Sequence, residues 1–214
     1  MCDKFIYDTF RIVYLSMMLD HAPVSPGRKR SPEKHAAILT AAADLVGEMG
    51  YERVSMEGIA ARAGVGKMTV YRRWPGKAAL YVDVYAHLVP PDALAGETDS
   101  LADDLKHLLT ALFDLYRRTP AAAVLAGVIA AAQNDKAAKE ALDSGLVSGR
   151  RGLLTGIFRR AVEAGELPTD FDGERAGDLF VALVWHRLLT DPGRLDDAYI
   201  DTIIDTVLML GARP

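Results

Sequence analysis

Apolar residues recur along most of this chain at spacings of three and four, the mark of one buried helix face rather than of a strand. Ile38, Ala42, Leu45 and Met49 define the first such stretch. Ser31-Pro32-Glu33 opens it with an N-cap, a proline at the first helical position and an acid in the first turn, and Gly50 closes it. Met56, Ile59 and Ala60 form the inner face of a second helix that Ser55 caps and Gly64 follows. A short helix from about Gly66 to Arg73 then meets Pro75-Gly76-Lys77, which starts AALYVDVYAHL. Beyond Pro90-Pro91 and the polar run GETDS, a linker-like break near 90–98, the patterns lengthen. They cover roughly 99–118, 120–132, 135–164, 172–190 and 196–210. The expected fold class is all-α, with about nine helices after an N-terminal extension. No repeat period is visible, which excludes a solenoid.

Composition agrees and adds one asymmetry. Of the 214 residues, 50% are hydrophobic and 25% charged, a globular mix with room for one large or two small domains. The net charge of −4 hides a split. Residues 28–77 hold ten Lys/Arg and five acids, whereas 78–214 hold 13 Lys/Arg against 21 acids. A basic segment on an acidic body suits a polyanion-binding module joined to a second module. Three regions follow: an extension over 1–30, a basic head over 31–78 and a helical body over 79–214. Cys2 stands alone, which excludes an internal disulfide and a cysteine-based zinc cluster and fits a reducing cytoplasm. In the extension, FIYDTFRIVYLSMML is too short and too interrupted for a membrane span. Ile6, Phe10, Val13 and Met17 share one helical face. Two readings stand there: a short amphipathic helix before a basic arm, or translation from upstream of a native start at Met17 or Met18.

The segment RAGVGKMTVYRRWPGK over 62–77 carries the candidate chemistry. A phosphate loop requires glycine at 61 and Ser or Thr at 68, on a preceding strand, but the chain has Ala61, Met68 and a helix. A helix-turn-helix requires a small residue at the crossing, a glycine at the turn and an aliphatic residue to lock the second helix. Ala60, Gly64 and Val70 supply these. The second helix would present Gly66, Lys67, Met68 and Thr69 at its N-terminus, with Tyr71 and Arg72 one turn on. Lys67 and Arg72 reach phosphate or guanine edges, Thr69 and Met68 suit a thymine methyl, and Tyr71 donates to a phosphate. Lys77 opens the next helix, where a phosphate would offset the unfavourable dipole, and Ser55 is placed both to cap and to bind phosphate. Trp74 fits packing beneath the motif.

These residues resemble a known family. The stretch from Ile38 to Val84, and within it Gly-Val-x-Lys-x-Thr-Val-Tyr-x-x-Trp-Pro-x-Lys, is similar to the DNA-binding domain of TetR/AcrR-type transcriptional regulators. The resemblance implies a three-helix head, a helical ligand-binding and dimerisation body, and a homodimer on a palindromic double-stranded operator. It makes Ser55, Lys67, Thr69, Tyr71, Arg72 and Lys77 the candidate DNA contacts. Met68 is larger than many relatives carry there, and the N-terminal extension is unusual.

The body gives architecture more than chemistry. Its last two helical patterns have wide apolar faces suited to a homodimer interface. The effector, a small apolar or amphipathic molecule, is expected among Leu109, Phe113 and Tyr116, Leu125 and Ile129, Phe158 and Val162, and Trp185. No metal, cofactor or catalytic set is expected: the five histidines lack ligand spacing, and His87 with His107 is the weak exception. Asp103-Asp104 and Asp196-Asp197 read as solvated acids at helix starts. The expectation is a cytoplasmic, non-enzymatic regulator, a repressor released by its effector. Its rivals are an enzyme whose basic head only packs, and membrane recruitment through residues 5–19.

Overall fold

Helix boundaries fall where the caps put them. The computed structural model describes residues 32–211, with side chains outside 146–151. The expected extension over 1–30, with its possible start at Met17 or Met18 and its membrane reading, lies outside the described residues. Helix α1 (Pro32–Met49) begins on its proline, α2 (Met56–Arg62) follows the Ser55 cap, and α3 (Lys67–Tyr71) follows Gly66. Helix α4 (Lys77–Leu88) follows Gly76. Then come α5 (Leu101–Arg118), capped by Ser100, α6 (Ala121–Ala132), and α7 (Lys136–Ala141), capped by Asp135. Helices α8 (Ser148–Glu163), α9 (Gly173–Thr190) and α10 (Asp197–Gly211) complete the body. No strand occurs among the described residues.

Two expectations need correction. The stretch expected over 135–164 is helical from Lys136 to Glu163, but its ladder loosens to a π-turn over Leu142–Val147. Asp143, Ser144 and Gly145 are consecutive poor helix formers, and the Ser144 hydroxyl donates back to the Glu140 carbonyl at 2.7 Å, a bond that bends helices. Asp104 is not a solvated helix-start acid. It is buried at 6% exposure, and it accepts from Arg160 at 2.7 Å and from the backbone and hydroxyl of Thr98 at 2.7 and 2.8 Å. Burial pushes its carboxyl up, and these hydrogen bonds outweigh it, so the pKa lies below the ordinary value. The linker-like break is likewise tied down: Pro91–Ala93 forms a 3-10 turn and Leu94 is buried.

The core is continuous through the described residues. Helix α4 packs on α6 and α7, α5 packs on α10 and α8, and α9 packs on both α8 and α10. Tyr81 and Tyr85 of α4 are the largest fully buried side chains. Each keeps its hydroxyl bonded, as burial demands. Tyr81 donates to the Ala42 carbonyl of α1 at 3.1 Å, and Tyr85 shares a hydrogen bond with Tyr116 of α5 at 2.6 Å. One end of α4 is therefore held to the head and the other to the body.

Candidate nucleic-acid interface and body cavity

The turn between α2 and α3 is set by one glycine. Gly64 sits at φ +64°, a left-handed conformation that costs glycine nothing. It lets the Val65 amide reach the Ala60 carbonyl at 3.0 Å and the Gly64 amide reach Ala61 at 3.2 Å, closing α2 in a Schellman turn. Ile59, Ala60 and Val70 are buried at the crossing, so Val70 fixes which face of α3 points inward. At 100° per residue, Met68 and Arg72 then share the outward face. Met68 is 70% exposed, unusual for methionine. Gly66, Lys67, Tyr71 and Arg72 are exposed, and Thr69 is half-buried.

Several of these groups already have partners. The exposed Ser55 hydroxyl accepts from the Gly58 amide at 3.0 Å, the capping role, which leaves its own proton to donate. The Tyr71 hydroxyl donates to the Glu57 carboxylate at 3.1 Å, and that bond raises the phenol's pKa. Lys77 is half-buried, its Nζ 3.3 Å from the Glu52 carbonyl and 4.2 Å from the centroid of the Tyr51 ring. These internal partners already offset the helix-start cost that sequence reasoning left to a phosphate. Burial holds the Lys77 pKa below its ordinary value. Lys67 and Arg72 have no hydrogen-bonding or ion-pair partner among the described residues.

Trp74 packs beneath the motif as expected, but sequence reasoning missed its partners and the rest of what braces the head. Arg62 clamps Glu48 of α1 with two bonds of 2.7 Å. Trp74 is buried, stacks on His35 at 5.2 Å and donates its indole N–H to Asp83 of α4 at 2.7 Å. The Tyr51 ring packs 5.0 Å from Tyr81 and so closely on α6 that a Cβ at Gly127 would overlap it. The only local signal was an aromatic or charge at each position. The pairing comes from helices apart in sequence.

The body holds a cleft of about 710 Å³ between α8 and α9, floored by Leu125 of α6 and Tyr85 of α4. Of the residues expected at the effector, Leu125, Phe158, Val162 and Trp185 line it. Tyr116 lines a second cavity of about 60 Å³. Leu109, Phe113 and Ile129 line neither and lie in the core. Phe171 and Tyr85, which were not anticipated, complete the aromatic walls. Among the described residues no three or more His, Cys, Asp or Glu gather to hold a metal. No described helix is long and apolar enough to cross a membrane.

This arrangement, a helix-turn-helix with an open basic helix on a cavity-bearing helical body, matches known proteins over nearly its whole described length. The family of bacterial regulatory proteins named tetR matches residues 38–84, and a tetracyclin repressor-like C-terminal domain matches 95–207. The DNA-binding transcriptional repressor TetR of Mycobacteroides abscessus is 32% identical over 188 residues, 86% of this chain and 97% of that protein. An HTH-type transcriptional regulator of Bacillus subtilis, YdeS, is 30% identical over 178 residues, 83% of this chain and 89% of its own. The crystal structure of the TetR family transcription regulator SCO0332 superposes with a TM-score of 0.71 at 32% identity, covering 85% of this chain and all of that one. The chain belongs to the TetR family of transcriptional regulators, which are DNA-binding proteins and not enzymes. Members of the family bind DNA and small-molecule effectors and act as dimers.

Proposed function

We propose that this regulator is a cytoplasmic homodimeric repressor that leaves a palindromic operator when a small apolar or amphipathic molecule fills the cleft between α8 and α9. One observation carries the reading. The large hydrophobic side chains most exposed among the described residues are Met68 and Tyr71 on α3, and Leu189, Met209 and Leu210 on α9 and α10. Apolar side chains left in water cluster where a partner covers them. The first pair suits a DNA groove and the second set a second copy of the chain. The M. abscessus relative bears the name of repressor, which supports that sign of regulation.

In this reading residues 31–78 form the head and 79–214 the body. Ser55, Gly66, Lys67, Met68, Thr69, Tyr71, Arg72 and Lys77 meet the DNA. Two heads on a two-fold axis read half-sites about 34–36 Å apart or at a longer DNA-compatible spacing. A ligand shifts the equilibrium only if it favours the spacing that DNA rejects. Tyr85 lies on the cleft floor in the same helix as Lys77, so α4 is the lever. The test is fluorescence anisotropy on the DNA directly upstream of the protein's own gene, against a shuffled duplex, at several salt concentrations. A preference of about a thousandfold or more for the native fragment is expected. Equal, salt-sensitive binding to both duplexes would sink the sequence-specific reading.

A further inference from the structure

The two cavities differ in lining: charged side chains stand at the rim of the larger, and none among the described residues lines the smaller. At the mouth of the larger cleft stand the exposed Thr155, Arg159, Glu174 and Asp178. Arg159 pairs with Glu163 at 3.2 Å, so both signs of charge meet there. Inward, the lining becomes half-buried Val181 and Trp185, and then buried Leu154 and Tyr85. The smaller cavity lies behind these same residues: Tyr85, Leu154, Val181 and Trp185 line both spaces and form the wall between them. Beyond the wall, Leu108, Leu112, Phe180 and Val184 are buried, and the described lining carries no charged side chain. The wall consists of side chains, which turn more readily than backbone.

From this gradient we infer that the cleft takes an amphiphile whose unbranched alkyl tail threads between Tyr85, Leu154, Val181 and Trp185 into the second cavity, while its polar head stays at the charged mouth. The inference rests on the reading of the cleft as the effector site and names the effector's chemistry. The second cavity's 60 Å³ is room for about four water-sized groups, so it measures the last few methylenes of the tail. The site is a ruler for chain length. It discriminates against compact or branched molecules of the same carbon number, because these fill the outer cleft without reaching past Trp185.

The test uses the full chain and calorimetric titration with straight-chain carboxylates and, separately, straight-chain quaternary ammoniums, kept below micelle formation. The two series decide which headgroup charge the mouth accepts. Over about four to twelve carbons, affinity in the accepted series should rise roughly threefold to fourfold per methylene and then level off. Leu112→Phe fills the second cavity and should bring the levelling to a shorter chain. Leu112→Ala enlarges it and should move the levelling to a longer one. Should the phenylalanine variant fail to fold, the wild-type series and the alanine variant still decide. The inference is overturned if affinity is independent of tail length in both series, or if adamantane carboxylate binds better than the straight chain of equal carbon number. It is overturned equally if the levelling point stays put in folded Leu112 variants. A compact ligand that releases DNA would end the tail inference and leave the effector reading standing. A tail that binds with the expected length dependence but leaves DNA affinity unchanged would support the tail and end the effector reading.

Discussion

Lys67 and Lys77 each open a helix, and they live in opposite surroundings. A cation at a helix N-terminus opposes the helix dipole in both cases. Lys77 is already satisfied: the Glu52 carbonyl and the face of Tyr51 receive its charge. Lys67 is exposed, with no acceptor among the described residues. The contrast extends to the neighbours. Around Lys67 lie groups held open at the protein's expense, including a methionine at 70% exposure. Around Lys77 lie a buried tryptophan, two packed tyrosines and a glycine of α6 that has no room for a side chain. On the outer face of the head, Lys67 and Arg72 are left without partners among the described residues. At the joint between head and body the chain supplies partners of its own, those of Lys77 included.

Substitutions on the open face should therefore cost binding alone, and those at the joint should cost folding first. The largest effect is expected at the joint. Trp74→Ala removes a buried ring and its hydrogen bond to Asp83, and should lower unfolding free energy by about 3–5 kcal/mol. Met68→Ala on the open face should stay within about 0.5 kcal/mol of wild type. Urea melts of both variants check this, and equal losses would erase the distinction. Gly127→Ala comes next. The added methyl group meets the root of the Tyr51 ring rather than a flexible tip, and overpacking of this kind costs about 1–3 kcal/mol. Because Tyr51 seats Lys77, the same variant should weaken DNA binding in anisotropy as well as lower the melting temperature. On the open face, Arg72→Ala should leave the melting curve in place and weaken operator binding by about 1–3 kcal/mol, roughly fivefold to 150-fold. If operator affinity is unchanged, Arg72 is not a contact.

The same contrast explains which parts of the molecule were legible in the sequence. Ser55, Gly64 and Val70 act on residues within a turn or two of themselves, so a cap, a left-handed turn and a helix lock can be read from spacing alone. The joint cannot be read that way. Trp74 finds Asp83 and His35, and Arg62 finds Glu48, only because three helices cross. In the body, periodicity gives a buried face but not the neighbour that covers it. Leu109 and Phe113 share that face with Tyr116, yet only Tyr116 reaches a cavity. Asp104 shows the same limit for charge: it sits in a first helical turn like any solvated acid, until Arg160 arrives from α8 to bury it.

The smallest effect expected at the joint is a dependence on pH. His35 lies half-buried against Trp74. Burial holds its pKa below the ordinary 6.5, Arg73 and His87 add to that, and Asp83 opposes them. The unfolded chain therefore takes up the His35 proton first as pH falls. Wherever the unfolded state binds more protons, stability drops as the pH drops. His35 should thus cost nothing above about pH 7, begin to destabilise the head as pH drops through its unfolded value, and stop adding once the folded state protonates too. His35→Gln removes the titrating group and should flatten this part of the profile. Melting temperatures of both proteins between about pH 5 and pH 7.5 measure it as a difference of slopes, which cancels the other titrating groups that the two chains share. A slope unchanged by the substitution would mean that Asp83 cancels the burial, leaving the ring stack itself as the contribution of His35 to the joint.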